Sequence, residues 1–206
     1  DNQGSFEESA WSGFFRSTVS GLITEEKSKF DFEQSGNGIK AKMTLDAFVV
    51  PVRGDRDPGF YLEANLESNM LNNGDEVHIN LQASQDCYVY ILNLMSDNNA
   101  MLIYPNQYME DNFIKGGSEL IVPDEDLKDK IRFRVGLLPG QSFASESIYI
   151  ICTKSKVPML HNFPKVGRDV KILSNASKSF FELQKWLAKI PLNQRTEKAL
   201  IYHVSK

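Results

Sequence analysis

The chain has only two cysteines, only three histidines and no basic cluster longer than a few residues, and each shortage removes a class of function. Cys87 and Cys152 both sit in apolar, strand-like runs, far apart and without metal-ligand spacing, so they are read as free, buried thiols rather than as a disulfide or a metal pair. A mildly negative net charge of -4 with no basic stripe lacks the electrostatic footprint of a nucleic-acid binder. The longest apolar runs, at 47–50 and 148–152, fall far short of the about 20 residues that span a bilayer, so no transmembrane segment is expected. Asp1 opens the chain without an initiator methionine or an apolar leader, which fits a mature or trimmed polypeptide. Also missing are a Gly-x-Ser-x-Gly elbow, a His-Glu-x-x-His pair, a phosphate loop and a dinucleotide glycine fingerprint. Neither catalysis nor a cofactor is expected.

What is present is β-strand patterning framed by two helical stretches. Ser5 with Glu8 forms a capping box, and Phe6, Ala10, Trp11, Phe14, Phe15, Val19 and Leu22 make a helical apolar stripe. After the charged stretch 25–27, Phe30 and Phe32 begin a strand, Gly36 and Gly38 suit a turn, and Ile39, Ala41, Met43, Leu45 and Ala47 alternate with polar residues in a second. Residues 51–59 carry two prolines, two glycines and four charges, and are read as a boundary between a small α/β unit (1–57) and a larger domain (58–206).

Strand signals then follow at short spacing, at 60–66, 77–83, 87–94, 100–104, 118–122, 131–135 and 148–153. The runs 87–94 and 148–153 are apolar at nearly every position, as strands covered on both faces are. Phe180, Leu183, Leu187 and Ile190 recur at helical spacing behind a Ser179–Glu182 capping box, and Pro191 ends the run. Residues 199–204 fit either a last strand or a frayed helix. The expected class is α+β, mainly β: an antiparallel β-sandwich, immunoglobulin-like or similar. It carries an N-terminal unit of helix plus strands and a C-terminal helix packed on the sheet.

The order Leu71-Asn72-Asn73-Gly74-Asp75, Tyr88-Val89-Tyr90-Ile91-Leu92-Asn93 and Leu102-Ile103-Tyr104-Pro105-Asn106 continues into Asn112-Phe113-Ile114, Gly116-Gly117 and Ile121-Val122-Pro123. It resembles the bacterial family labelled domain of unknown function DUF 4384, over roughly residues 60 to 160. That resemblance implies a β-sandwich-like module of secreted, periplasmic or cell-envelope proteins, without an assigned activity. The N-terminal helix, the Ser35-Gly36 turn and the strand after it are also similar to the N-terminal domain of flagellar assembly protein T and related small outer-membrane lipoproteins.

Each chemistry-bearing residue has a plain structural reading beside a functional one. His78 alternates onto a polar strand face, while His161 and His203 are scattered, so all three are read as surface residues. A divergent hydrolase built on His161 with nearby acids is the least favoured alternative. The acids at 124–126 and in the 55–57 loop lack calcium-loop spacing, and no metal is expected. Tyr104-Pro105-Asn106 reads first as a turn in which proline ends the ladder and the asparagine amide bonds loop backbone, and Asn112 is read the same way. If the chain has a binding site, the polar loop 106–117 is the place to look, with Tyr104, Asn106, Tyr108, Asn112 and Phe113 as its candidate residues. The leading expectation is a non-catalytic interaction module with a protein partner in the cell envelope. The alternative is a binder of a small molecule, peptide or glycan in an inter-domain cleft, where Trp11 or Trp186 would stack on the ligand, although both lie on apolar helix stripes and are read first as core residues.

Overall fold

A computed structural model describes residues 21–36, 38–96, 100–127, 129–158 and 176–206. The helix expected at 5–22 therefore lies outside the described residues, apart from its last expected position: Leu22 opens a strand. Strands β1 (Leu22–Ser35) and β2 (Gly38–Val50) form a two-stranded antiparallel hairpin. The charged stretch 25–27 is part of β1, and the register shows why a strand tolerates it. Lys27 pairs with Asp46, Asp31 with Lys42 and Glu33 with Lys40, so one face carries cross-strand opposite charges.

The larger sheet contains β4 (Met70–Asn72), β6 (Cys87–Leu94), β7 (Ala100–Tyr104), β8 (Phe113–Ile114), β10 (Phe143–Thr153) and β11 (Arg195–Ser205). Its order is β4-β11-β10-β6-β7, with β8 also paired to β6. All these pairs are antiparallel except β4 with β11. A three-stranded sheet holds β3 (Leu62–Leu66), β5 (Ile79–Ala83) and β9 (Glu119–Val122) in the order β3-β5-β9.

One buried cluster joins Leu62, Ile79, Leu81 and Val122 of the small sheet to Val89, Ile91, Ile148, Ile150 and Tyr202 of the large one. A second lies on the far side of the large sheet, where Tyr90, Leu92, Tyr149 and Ile151 meet Leu183, Trp186 and Leu187 of helix α1 (Ala176–Leu187). The near-continuous apolar runs of β6 and β10 have their cause here: successive side chains enter different cores. Leu22 and the loop residue Val52 join the second core, which anchors the base of the hairpin.

Two expectations change in detail, at 131–135 and at the ends of α1, and two readings left open are resolved, at 199–204 and at Trp186. Residues 131–135 alternate in burial as a strand would, yet they form only an isolated bridge, Glu76 with Arg134, and no ladder. Ser179 falls inside α1 rather than at its N-cap, and Ile190 lies beyond its end. Residues 199–204 belong to an eleven-residue strand, β11. Its alternation is weak because Tyr202 and Val204 enter the first core while Ile201, on the other face, is exposed. Trp186 is buried against Tyr90, and its indole N–H donates to the Pro158 carbonyl at 3.1 Å, so it is a core residue.

Candidate functional site

The loop after β7 is built from the end of a core strand. Tyr104 is buried and opposite Ile91, the Tyr104–Pro105 bond is cis, and Asn106 turns the chain. The Asn106 side chain is spent on the loop itself. Its Nδ2 donates to the Ile103 carbonyl at 2.8 Å, and its Oδ1 accepts the amides of Tyr108 at 2.8 Å and Met109 at 3.1 Å. The Tyr104 hydroxyl donates to the Asp111 carbonyl, and burial, aided by the charge of Asp111, pushes its pKa up to about 12.

Asn112 is buried and brackets Val89, donating from Nδ2 to the Val89 carbonyl at 2.9 Å while its own carbonyl accepts the Val89 amide at 2.8 Å. Further on, the Gly116 amide donates to Asp86 at 2.8 Å and the Gly117 amide to the Ala83 carbonyl at 2.8 Å. A Cβ on Gly116 would lie 2.8 Å from the Gln85 Cα, so glycine is required for this close approach. The loop ties the large sheet to the small one. Of the five candidate residues, Tyr104, Asn106 and Asn112 face inward, Tyr108 is half-buried against the first core, and Phe113 is exposed with its ring edge-on to Tyr88.

The histidines do not converge. His78 Nδ1 is 3.8 Å from Glu125 Oε1, His203 Nδ1 is 2.9 Å from Ser145 Oγ, and His161 lies outside the described residues. The Ser145–His203 pair is a cross-strand contact of β10 and β11 with Phe143 stacked on the imidazole, and no described carboxylate completes it. Cys87 and Cys152 are free and buried. The neighbouring Cys87 and burial push the Cys152 thiol well above its usual range, away from the thiolate a nucleophile needs. Among the described residues no three of His, Cys, Asp or Glu gather as a metal site, and no helix is long and apolar enough to cross a membrane. Asp124 is occupied locally, accepting the Asp126 amide at 2.9 Å.

The surface feature that sequence reasoning missed is the hairpin's apolar face. Phe30 pairs with Met43, Phe32 with Ala41 and Gln34 with Ile39 on one side, with the charge-paired residues on the other. The alternation of β2 is as expected, but its apolar face is open: exposure is 55% at Phe30, 69% at Phe32, 79% at Ile39 and 56% at Met43. The two phenylalanine rings stack, with centroids 6.3 Å apart. The alternation alone could not reveal this, because period two marks a face for burial without saying what buries it.

Architecture and surfaces together define a mainly β protein whose sheets are antiparallel but for one short edge pairing. Within it, residues 70–156 match the model of the domain of unknown function DUF4384. The match begins at β4 and ends just past β10, so the hairpin and β11 lie outside it. No curated protein and no solved structure matches the chain.

Proposed function

We propose that this protein is a non-catalytic interaction module of a bacterial cell-envelope or secreted protein. In this reading a two-sheet, sandwich-like body, with its C-terminal helix as backing, carries the β1–β2 hairpin as the surface that engages a protein partner. The exposed face of Phe30, Phe32, Ile39 and Met43 is the observation that carries the proposal. A contiguous apolar surface of this kind is rare on a monomer unless something covers it. An isolated two-stranded hairpin is also only marginally stable in water. The reverse face sets opposite charges across from each other and is at home in water, which leaves the apolar face as the one with binding energy to give.

The occupant is taken to be an apolar element of another protein. The thirteen residues of β2 extend about 43 Å at about 3.3 Å per residue. A helix through residues 5–21 of this chain would cover only about 25 Å at about 1.5 Å per residue, starting from the hairpin's base. The tip, where Phe32 and Ile39 lie, is beyond that reach. The loop 106–117 is given the lesser part, since the Asn106 side chain is committed to its own turn and that of Asn112 to the Val89 carbonyl.

The test is reconstitution. A partner recovered from envelope extracts is purified and titrated against the native chain, against Phe30→Ser/Phe32→Ser, and against Lys40→Ser/Lys42→Ser on the reverse face. A loss of at least about tenfold, equivalent to about 1.4 kcal/mol, is expected for the phenylalanine variant alone. Equal binding by all three overturns the proposal, as does concentration-dependent self-association through the same face.

A further inference from the structure

The open end of the first core holds a carboxylate with one oxygen engaged by the fold. Glu146 (β10) stands directly across from Tyr202 (β11), and both side chains are buried on the face that looks toward the small sheet. Glu146 Oε2 accepts the Tyr202 hydroxyl at 2.5 Å and the Asn93 Nδ2 at 2.9 Å. The hydroxyl also lies 3.1 Å from Asn93 Oδ1, which fixes the amide's orientation. Burial and the charge of Glu146 hold the Tyr202 hydroxyl protonated, far above the ordinary tyrosine range, so it remains a donor to the carboxylate. Both bonds fall on Oε2. Oε1 accepts none among the described residues, and no described cation pairs with Glu146.

The same carboxylate lines a cavity of about 290 Å³ between the sheets. Its walls are apolar, from residues such as Ile79, Ile103, Phe133 and Ile148, with Met95 and Met101 as adaptable edges. Arg132 and Arg134 stand at its rim, but both hold Glu76, at 3.0 and 3.2 Å, so the rim cations are engaged there. A buried carboxylate is normally paired with a cation or saturated with hydrogen bonds. Glu146 Oε1 is not sealed away as a buried atom without a partner, so it is open to a donor from outside the fold. An apolar cavity with one oriented polar group is the usual form of a small-molecule site.

We propose that this cavity binds a small molecule with an ammonium or other cationic N–H head on an apolar body, the head donating to Glu146 Oε1 and the body lying against Ile79, Ile103 and Phe133. Asn93 and Tyr202 are positioning residues. They hold Oε2 and leave Oε1 for the ligand. Oppositely charged or uncharged molecules of the same shape gain the apolar contact but lack the charge-assisted bond.

The test uses the whole chain with ¹³C-methyl methionine, titrated with n-hexylammonium and separately with hexanoate. The expected result is a saturable shift of the Met95 and Met101 methyls with hexylammonium, with hexanoate at least about tenfold weaker, about 1.4 kcal/mol. Glu146→Gln should weaken hexylammonium by a similar factor while leaving spectral dispersion intact. Met101→Trp, which fills the cavity and leaves Glu146 in place, should abolish the response and decides the matter if Glu146→Gln fails to fold. Equal binding of the two probes, unchanged binding in either folded variant, or shifts confined to the surface residues Met43 and Met70 would overturn the assignment.

Discussion

Replacing Arg195 by methionine should destabilise the protein more than its place near the C-terminus suggests, and combining that change with Glu197→Gln should cost clearly less than the sum of the two single changes. The two residues share one face of β11 and are almost wholly buried, with Arg195 Nε 2.5 Å from Glu197 Oε1 off the hydrogen-bonding direction. Arg195 Nη1 donates to the carbonyls of Leu187 and Ile190, the latter at 3.0 Å, and so closes the C-terminal end of α1. Glu197 in turn accepts the Tyr149 hydroxyl, which burial and the charge of Glu197 keep protonated well above the tyrosine range. Either single substitution strands a buried charge, a change that costs about 3 to 5 kcal/mol. Removing both charges leaves no unpaired ion, so the double variant should fall short of additivity by at least about 2 kcal/mol. Urea unfolding measures it: with a slope near about 2 kcal/mol per M, a single-variant loss of about 4 kcal/mol moves the midpoint by about 2 M. Singles that each cost under about 1 kcal/mol, or a strictly additive double, would refute the claim that the three side chains act as a unit.

The other predictions concern the loop and the acid limb. Asn112→Ala removes a buried donor and leaves the Val89 carbonyl without that partner, so it should cost about 1 to 3 kcal/mol in the same urea assay. A cost indistinguishable from that of the exposed Glu110→Ala would contradict the strand-holding role assigned to Asn112. Asp57 is held below its ordinary value of 3.8, chiefly by Lys154 and then by the Gly59 amide. A lowered folded-state pKa stabilises the protein fully above that ordinary value, and the contribution is lost as pH falls through the lower folded value. Asp57→Asn should therefore flatten the acid limb of the stability profile below about pH 4, and an unchanged limb would show the ion pair to be inert.

The strands that bury both faces were the most legible part of the chain, because 87–94 and 148–153 announce themselves as apolar at nearly every position. β11 was harder to read. Arg195 and Glu197 are charges inside a strand, and only their contact with each other, with Tyr149 and with the end of α1 makes their burial tolerable. Glu146 was missed for a related reason. With the strand expected to begin at 148, residues 144 and 146 were not placed in register with Ile148 and Ile150, where a carboxylate on a core face would have stood out. Among the candidate site residues, Asn106 was legible as a turn residue bonding loop backbone, whereas the partner of Asn112, the Val89 carbonyl on another strand, is one that no local pattern reveals.

The measurement that bears most directly on the central claim is face-specific photo-crosslinking in envelope extracts, with a benzophenone amino acid at Phe32 on the apolar face or at Asp31 on the charged one. A heterologous protein should crosslink from position 32 and not from 31, competed by excess native chain but not by Phe30→Ser/Phe32→Ser. Equal capture from both positions, a crosslink to a second copy, or an intramolecular crosslink to residues 1–20 would contradict it.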